Sequence, residues 1–163
     1  MALAYHNTYG LPVIVTHTMN AFGPRQHPEK YIPSTIRRVR DGETVMVHAD
    51  KACTKAGSRF YIDAKEIGSA LIFLLRAGQP GEKYNIVGSR EVDNLSLAFQ
   101  IAEVVGVPLK YELTDFHSER PGHDLRYGLD GSRLREMGWH PVDTFEQSLE
   151  RTVRWFLDNP EWL

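Results

Sequence analysis

Lys30, Arg59, Arg120, His123 and Arg126 are the side chains of this sequence best suited to hold an anion. An arginine guanidinium donates two parallel hydrogen bonds to a phosphate and keeps its charge at any physiological pH. Arg120-Pro121-Gly122-His123-Asp124 sets a basic pair on a turn that proline stiffens, and its glycine allows a ligand to approach the backbone. Far upstream, Asn20-Ala21-Phe22-Gly23-Pro24 follows the apolar run of residues 11–15. It reads as a strand ending in a polar turn, where Asn20 faces a ligand and Gly23-Pro24 redirects the chain. Composition offers a plainer alternative, in which the 19 basic residues form a solvated face making weak pairs such as those to Glu119 and Asp124.

Other reactive side chains are less organised. The seven histidines are scattered, with no pair at the i, i+4 spacing of a helical zinc site. His117, Glu119 and His123 come nearest to a ligand set, and a solvated loop explains them as well, so no metal is expected. Cys53 has Lys51 and Lys55 nearby to lower its thiol pKa, but the sequence places no histidine beside it. Tyr61-Ile62-Asp63-Ala64-Lys65 matches the string Tyr-x-x-x-Lys. That pair works where the lysine lowers the tyrosine pKa beside a bound cofactor, and no dinucleotide-binding turn precedes it here. The match reads as coincidence.

The elements that must position these groups alternate between helix and strand. Residues 2–9 read as a helix tail closed by Gly10, and residues 12–16 as an apolar strand buried on both faces. Ile32, Ile36 and Val39 mark a helix over residues 29–41, with arginines in its last turns. A strand at 44–48, a small polar loop at 49–58 and a helix at 65–77 follow. Residues 84–87 form a strand, and Asn94 or Asp93 caps a helix over 95–105. Next come a strand at 109–113, a long polar loop at 114–126, a short helix at 132–137 and a last helix at 145–158 capped by Thr144. Phe145, Leu149, Val153, Trp155 and Phe156 form the buried side of that last helix, and Trp139 and Trp162 also read as core.

The whole is one α/β domain over residues 1–163 with a small mixed sheet. A chain of this length, 42% hydrophobic and 25% charged, can bury a core of its own. Its net charge of −2 argues against a nucleic-acid or anionic-membrane surface. A single cysteine permits no internal disulfide, no signal peptide is visible, and no apolar stretch nears the ~20 residues of a membrane span, so a cytoplasmic location is expected. The strand at 12–16 wants neighbours on both sides, which predicts self-association or a partner chain.

Six strings in this order give the chain a family likeness: Tyr9-Gly10-Leu11-Pro12-Val13, Asn20-Ala21-Phe22-Gly23-Pro24, Pro28-Glu29-Lys30-Tyr31-Ile32-Pro33, Pro80-Gly81-Glu82-Lys83-Tyr84-Asn85-Ile86, Arg120-Pro121-Gly122-His123-Asp124 and Gly138-Trp139-His140-Pro141. Together they resemble the C-terminal, substrate-binding part of extended short-chain dehydrogenase/reductases, most closely the NAD-dependent nucleotide-sugar dehydratases and epimerases. The resemblance implies that Asn20 contacts the diphosphate of a nucleotide sugar and that Glu29, Lys30 and Tyr31 begin a nucleotide-contacting helix. It implies phosphate binding by Arg59, Arg120 and His123, with Asn94 near the nucleotide.

Departures from the family pattern are His17 in place of an arginine, Ala21 in place of a second asparagine, and residues 48–55 in place of a glycine-rich turn. No Gly-x-x-Gly-x-x-Gly occurs, and the family's catalytic Tyr-x-x-x-Lys would fall just before residue 1. No catalytic residue is therefore assigned. The chain alone is expected to hold no cofactor, with NAD(P) on a Rossmann domain that is missing or supplied by a partner. Two functions stay open: the nucleotide-sugar-binding part of a dehydratase or epimerase, inactive alone, or a stand-alone binding or interaction protein on the same fold.

Overall fold

The computed structural model describes residues 1–115 and 124–163. Helix α1, Ala2–Tyr9, ends at Gly10, whose left-handed φ of 67° lets its N–H reach back to the His6 carbonyl. Strand β1, Val15–Thr18, begins three residues later than the apolar run suggests. Pro12 has no N–H to give a ladder, and the Val13 N–H turns back to the Leu11 carbonyl at 2.8 Å. Strand β2, Asn20–Phe22, and helix α2, Tyr31–Arg40, follow. Strand β3, Thr44–Ala49, leads through a loop into β4, Ser58–Asp63, and helix α3, Ala64–Ala77. Strands β5, Lys83–Ile86, and β6, Glu91–Asp93, precede helix α4, Asn94–Val105. Strands β7, Lys110–Asp115, and β8, Arg126–Tyr127, lie on either side of the undescribed residues. Helix α5, Ser132–Glu136, and helix α6, Phe145–Asp158, complete the fold, with a short turn at Pro160–Trp162.

The α/β expectation and the mixed sheet both hold. β4 is the hub, parallel to β2 and β8 and antiparallel to β6, while β1 pairs parallel with β5 and β3 with β7. β2, β4, β6 and β8 are the strands the sequence reading lacks. In β4 only Phe60 and Ile62 are purely apolar, alternating with Arg59, Tyr61 and Asp63, a short pattern that the sequence reading passes over; β2 and β6 are three residues long and β8 two. Their absence also misplaces Asn20. It lies in β2, with Asn20 opposite Tyr61 of β4, and the turn begins only at Gly23.

Helices α2, α4 and α6 bury Ile32, Ile36, Leu97, Ile101, Leu149, Val153 and Phe156 against Phe22, Tyr61 and Val92 of the sheet. On the other side Trp139 packs with Ile62, Leu74, Tyr84 and Ile86. Trp155 is half-buried, and Trp162 is 37% exposed, its ring tilted against that of Trp155 at 6.0 Å rather than entering the core. Among the described residues β1 has one sheet neighbour, β5. α1 buries none of its residues, and Leu75 of α3 is 84% exposed.

A polar clamp fixes α6 to the end of β4. Arg151 of α6 donates to Asp63 at 2.6 Å and to Asp143 at 2.7 Å, and Lys65 reaches Asp143 at 3.2 Å. Buried Glu66 accepts the Val142 and Asp143 N–H groups, while Thr144 and Gln147 close a capping box on α6. Hydrogen bonds from Arg151, and then from Lys65, hold the Asp143 carboxyl below its ordinary range. Its folded-state pKa is thus depressed, so its stabilisation is present above the unfolded carboxylate value of about 4 and fades as pH falls through the folded value. Asp143→Asn is expected to melt below the native chain near pH 7, with the gap in Tm closing as pH drops below about 4. A gap independent of pH would contradict that assignment.

Candidate functional site

The N-terminal ends of α2 and α4 converge on a cavity of about 450 Å³ beside the β4 hub. Asn20, Glu29, Lys30, Tyr31, Arg59 and Asn94, scattered over 75 positions of sequence, all line it. Arg120 and His123 lie outside the described residues, and Asp124, which follows them, lines the cavity as well. Neither helix carries an acidic residue in its first turn; the positive end of the α2 dipole meets the cavity beside Lys30, whereas the Asp93 N-cap carboxylate already sits on the end of α4. The α2 end together with Lys30 and Arg59 makes an environment for an anion. Glu29 also stands at the rim, its side chain 88% exposed and turned toward His27.

Each predicted residue has a distinct posture. Lys30 is the exposed N-cap of α2, and its side chain makes no capping bond. Tyr31 contributes its ring, while its hydroxyl turns inward and donates to the Asn94 carbonyl at 2.7 Å. Burial, and then the neighbouring Tyr61, push the Tyr31 phenol above its ordinary pKa. Arg59 donates to the carbonyls of Ser58, Leu125 and Asp124 at 2.6, 2.9 and 2.8 Å. Three of the five guanidinium N–H groups are thus engaged with backbone among the described residues, leaving two to meet a ligand. Arg59 also ties β4 to the chain that leaves the Arg120 segment.

The α4 cap resolves which of two residues is free for a ligand. The Asp93 carboxylate accepts the Ser96 N–H at 2.8 Å, and Asn94 is the first helical residue. Ser34, His48, Gly57, Tyr61 and Leu125 complete the lining, and sequence reasoning does not assign them to the site. Gly57, Arg59 and Tyr61 follow the two-residue alternation of a strand face, so recognising β4 would have placed Tyr61 with Arg59. Ser34 lies one helical turn beyond Lys30.

Tyr61 and Lys65 do not form a catalytic pair. The Tyr61 hydroxyl donates to Asn94 Oδ1 at 2.8 Å, whereas Lys65 lies in α3 against Asp143. Burial pushes the Tyr61 phenol above its ordinary value, opposite to what a tyrosine base requires. Among the described residues no group of three His, Cys, Asp or Glu side chains could hold a metal ion, and no helix is long and apolar enough to cross a membrane. No glycine-rich strand–turn–helix of the kind that seats a dinucleotide pyrophosphate occurs in the sequence.

Known proteins share this fold and much of this sequence. The chain is 39% identical, over 97% of its length, to the low-salt glycan biosynthesis protein Agl12 of Haloferax volcanii. It superposes on a dTDP-glucose 4,6-dehydratase from Bacillus anthracis, solved in complex with NAD, with a TM-score of 0.83 and 36% identity, covering 99% of this chain and 50% of that one. A UDP-N-acetylglucosamine 4-epimerase from Methanobrevibacter ruminantium, in complex with UDP-N-acetylmuramic acid, gives a TM-score of 0.81 at 28% identity, covering 96% and 49%. The chain spans about half the length of the curated relatives it matches. The profile of the NAD dependent epimerase/dehydratase family matches residues 1–87, and the chain belongs to that family.

Proposed function

We propose that this chain is the nucleotide-sugar-binding part of an NAD-dependent dehydratase or epimerase, taking a dTDP- or UDP-hexose in the cavity between α2, β3, β4 and α4. The observation that carries this reading is the meeting of six anion- and nucleotide-suited residues around one cavity faced by two helix N-termini. Lys30 and the N-terminus of α2 would hold the diphosphate by charge, Arg59 by its remaining donors, and Asn94 by its amide. Hydride transfer is assigned to no residue of this chain. It would require NAD(P) on a Rossmann unit elsewhere, either in the same longer protein or in a partner. Among the described residues β1 pairs on one edge only, and that together with the exposed apolar residues of α1 and α3 supports a contact of that kind.

Calorimetric titration with dTDP and UDP tests this reading. Binding is expected, weakening as salt rises, and Lys30→Ala should cost about fivefold in affinity, or about 1 kcal/mol, with Tm unchanged. Absence of binding at millimolar nucleotide would overturn it, leaving an interaction protein on the same fold.

A further inference from the structure

Asn94 is fixed by three of its polar groups. Its backbone N–H donates to the Gly57 carbonyl at 2.8 Å, its carbonyl accepts from the Tyr31 hydroxyl at 2.7 Å, and its Oδ1 accepts from the Tyr61 hydroxyl at 2.8 Å. What remains is the side-chain NH₂, which has two donors and no acceptor. A β-carbon built on Gly57 would lie 3.8 Å from that nitrogen and 3.0 Å from the Leu125 carbonyl oxygen, so the amide stands beside the Gly57 backbone, and both residues line the cavity.

Tyr61 decides which way the amide points. Its ring is only 7% exposed, so its hydroxyl proton needs an acceptor within the protein. With Oδ1 toward Tyr61 that proton is satisfied. With the amide reversed, two donors would confront each other unless the hydroxyl turned its proton away, leaving a buried donor unpaired. We infer that Tyr61 is a positioning residue for the ligand site, locking the Asn94 side chain so that its NH₂ is presented to the cavity as a donor for an anion. The ligand arm of this inference rests on the nucleotide-diphosphate reading above; the orientation of the amide does not.

The consequence is a sign rule at position 94. Asn94→Ala removes the donor. Asn94→Asp keeps an acceptor for Tyr61 but turns a carboxylate oxygen toward the diphosphate.

Titration of dTDP and UDP into the full chain and three variants tests this. Tyr61→Phe is expected to weaken binding about fivefold and Asn94→Ala about tenfold, and Asn94→Asp about tenfold beyond Asn94→Ala. Adding Tyr61→Phe to Asn94→Ala should change affinity less than twofold, because the hydroxyl acts through the amide. An equal loss from Tyr61→Phe in both backgrounds, or tolerance of aspartate, would overturn the assignment. A ligand-free readout stands beside these. The Asn94 side-chain NH₂ signals in a ¹⁵N–¹H spectrum should shift in Tyr61→Phe, whereas a spectrum unchanged at those signals would overturn the lock. If the native chain bound neither nucleotide, the proposed function would fall, while the amide signals would still decide the role of Tyr61.

Discussion

Arg151→Ala is expected to lower the stability of the fold by about 3 kcal/mol, because it leaves the Asp63 carboxylate buried without its cation. Asp63 is 4% exposed, and Arg151 Nη2 lies 2.6 Å from its Oδ2. Breaking a buried ion pair from one side costs about 3–5 kcal/mol, since the remaining charge keeps its desolvation penalty and loses its compensation. The lower figure applies because the Arg151 side chain is 41% exposed and Asp63 still accepts the Lys65 N–H. Asp143 would lose the same partner, so α6 would come loose at its N-terminal half. Asp63→Asn should cost about half as much, because an amide oxygen still caps α3 and no bare charge is buried. Urea denaturation of the two single variants and the double variant checks this, and a double variant as unstable as the two singles summed would deny the coupling.

Gly88→Ala is expected to cost about 3 kcal/mol or more, and to damage the cavity although Gly88 does not line it. A β-carbon there would sit 2.0 Å from the Tyr61 carbonyl oxygen and 2.9 Å from its carbon. Backbone cannot yield as a flexible side-chain end can, so β4 or the β5–β6 connection must move. Moving β4 carries Tyr61 and Arg59 with it, and through Tyr61 the amide of Asn94. Thermal melting together with dTDP titration should show both losses at once. Gly68→Ala is the control: nothing lies within 4 Å of its β-carbon, and alanine in a helix is expected to gain about 0.5–1 kcal/mol. A Gly88→Ala protein as stable as the native chain would mean that the close approach to β4 is not required.

Much of this architecture was legible as pattern. The apolar spacing of Ile32, Ile36 and Val39, the Thr144 cap and the stops at Gly10 and Gly138 are local chemistry, and the helices stand close to where they imply. Strands that owe their existence to neighbours were not legible. β4 alternates arginine, tyrosine and aspartate with Phe60 and Ile62, and pairing on both edges makes that segment extended. Asn20 suffered in consequence, read as a turn because its partner strand was missing. Tyr31 reads from the sequence as a site residue, but a hydroxyl turned in toward Asn94 is a fact of packing and not of sequence.

By itself, then, the sequence determined the α/β class, the family likeness and the residue types suited to a nucleoside diphosphate. Those follow from side-chain chemistry and local spacing. The tertiary structure alone decided that Asn20, Lys30, Arg59 and Asn94 share one cavity, that Arg59 gives three donors to backbone, and that Asn94 keeps only its NH₂ for a ligand. The reason is that hydrogen bonds between residues as far apart as Tyr31 and Asn94 are set by how β4 and two helix ends pack, and spacing along the chain carries no record of that.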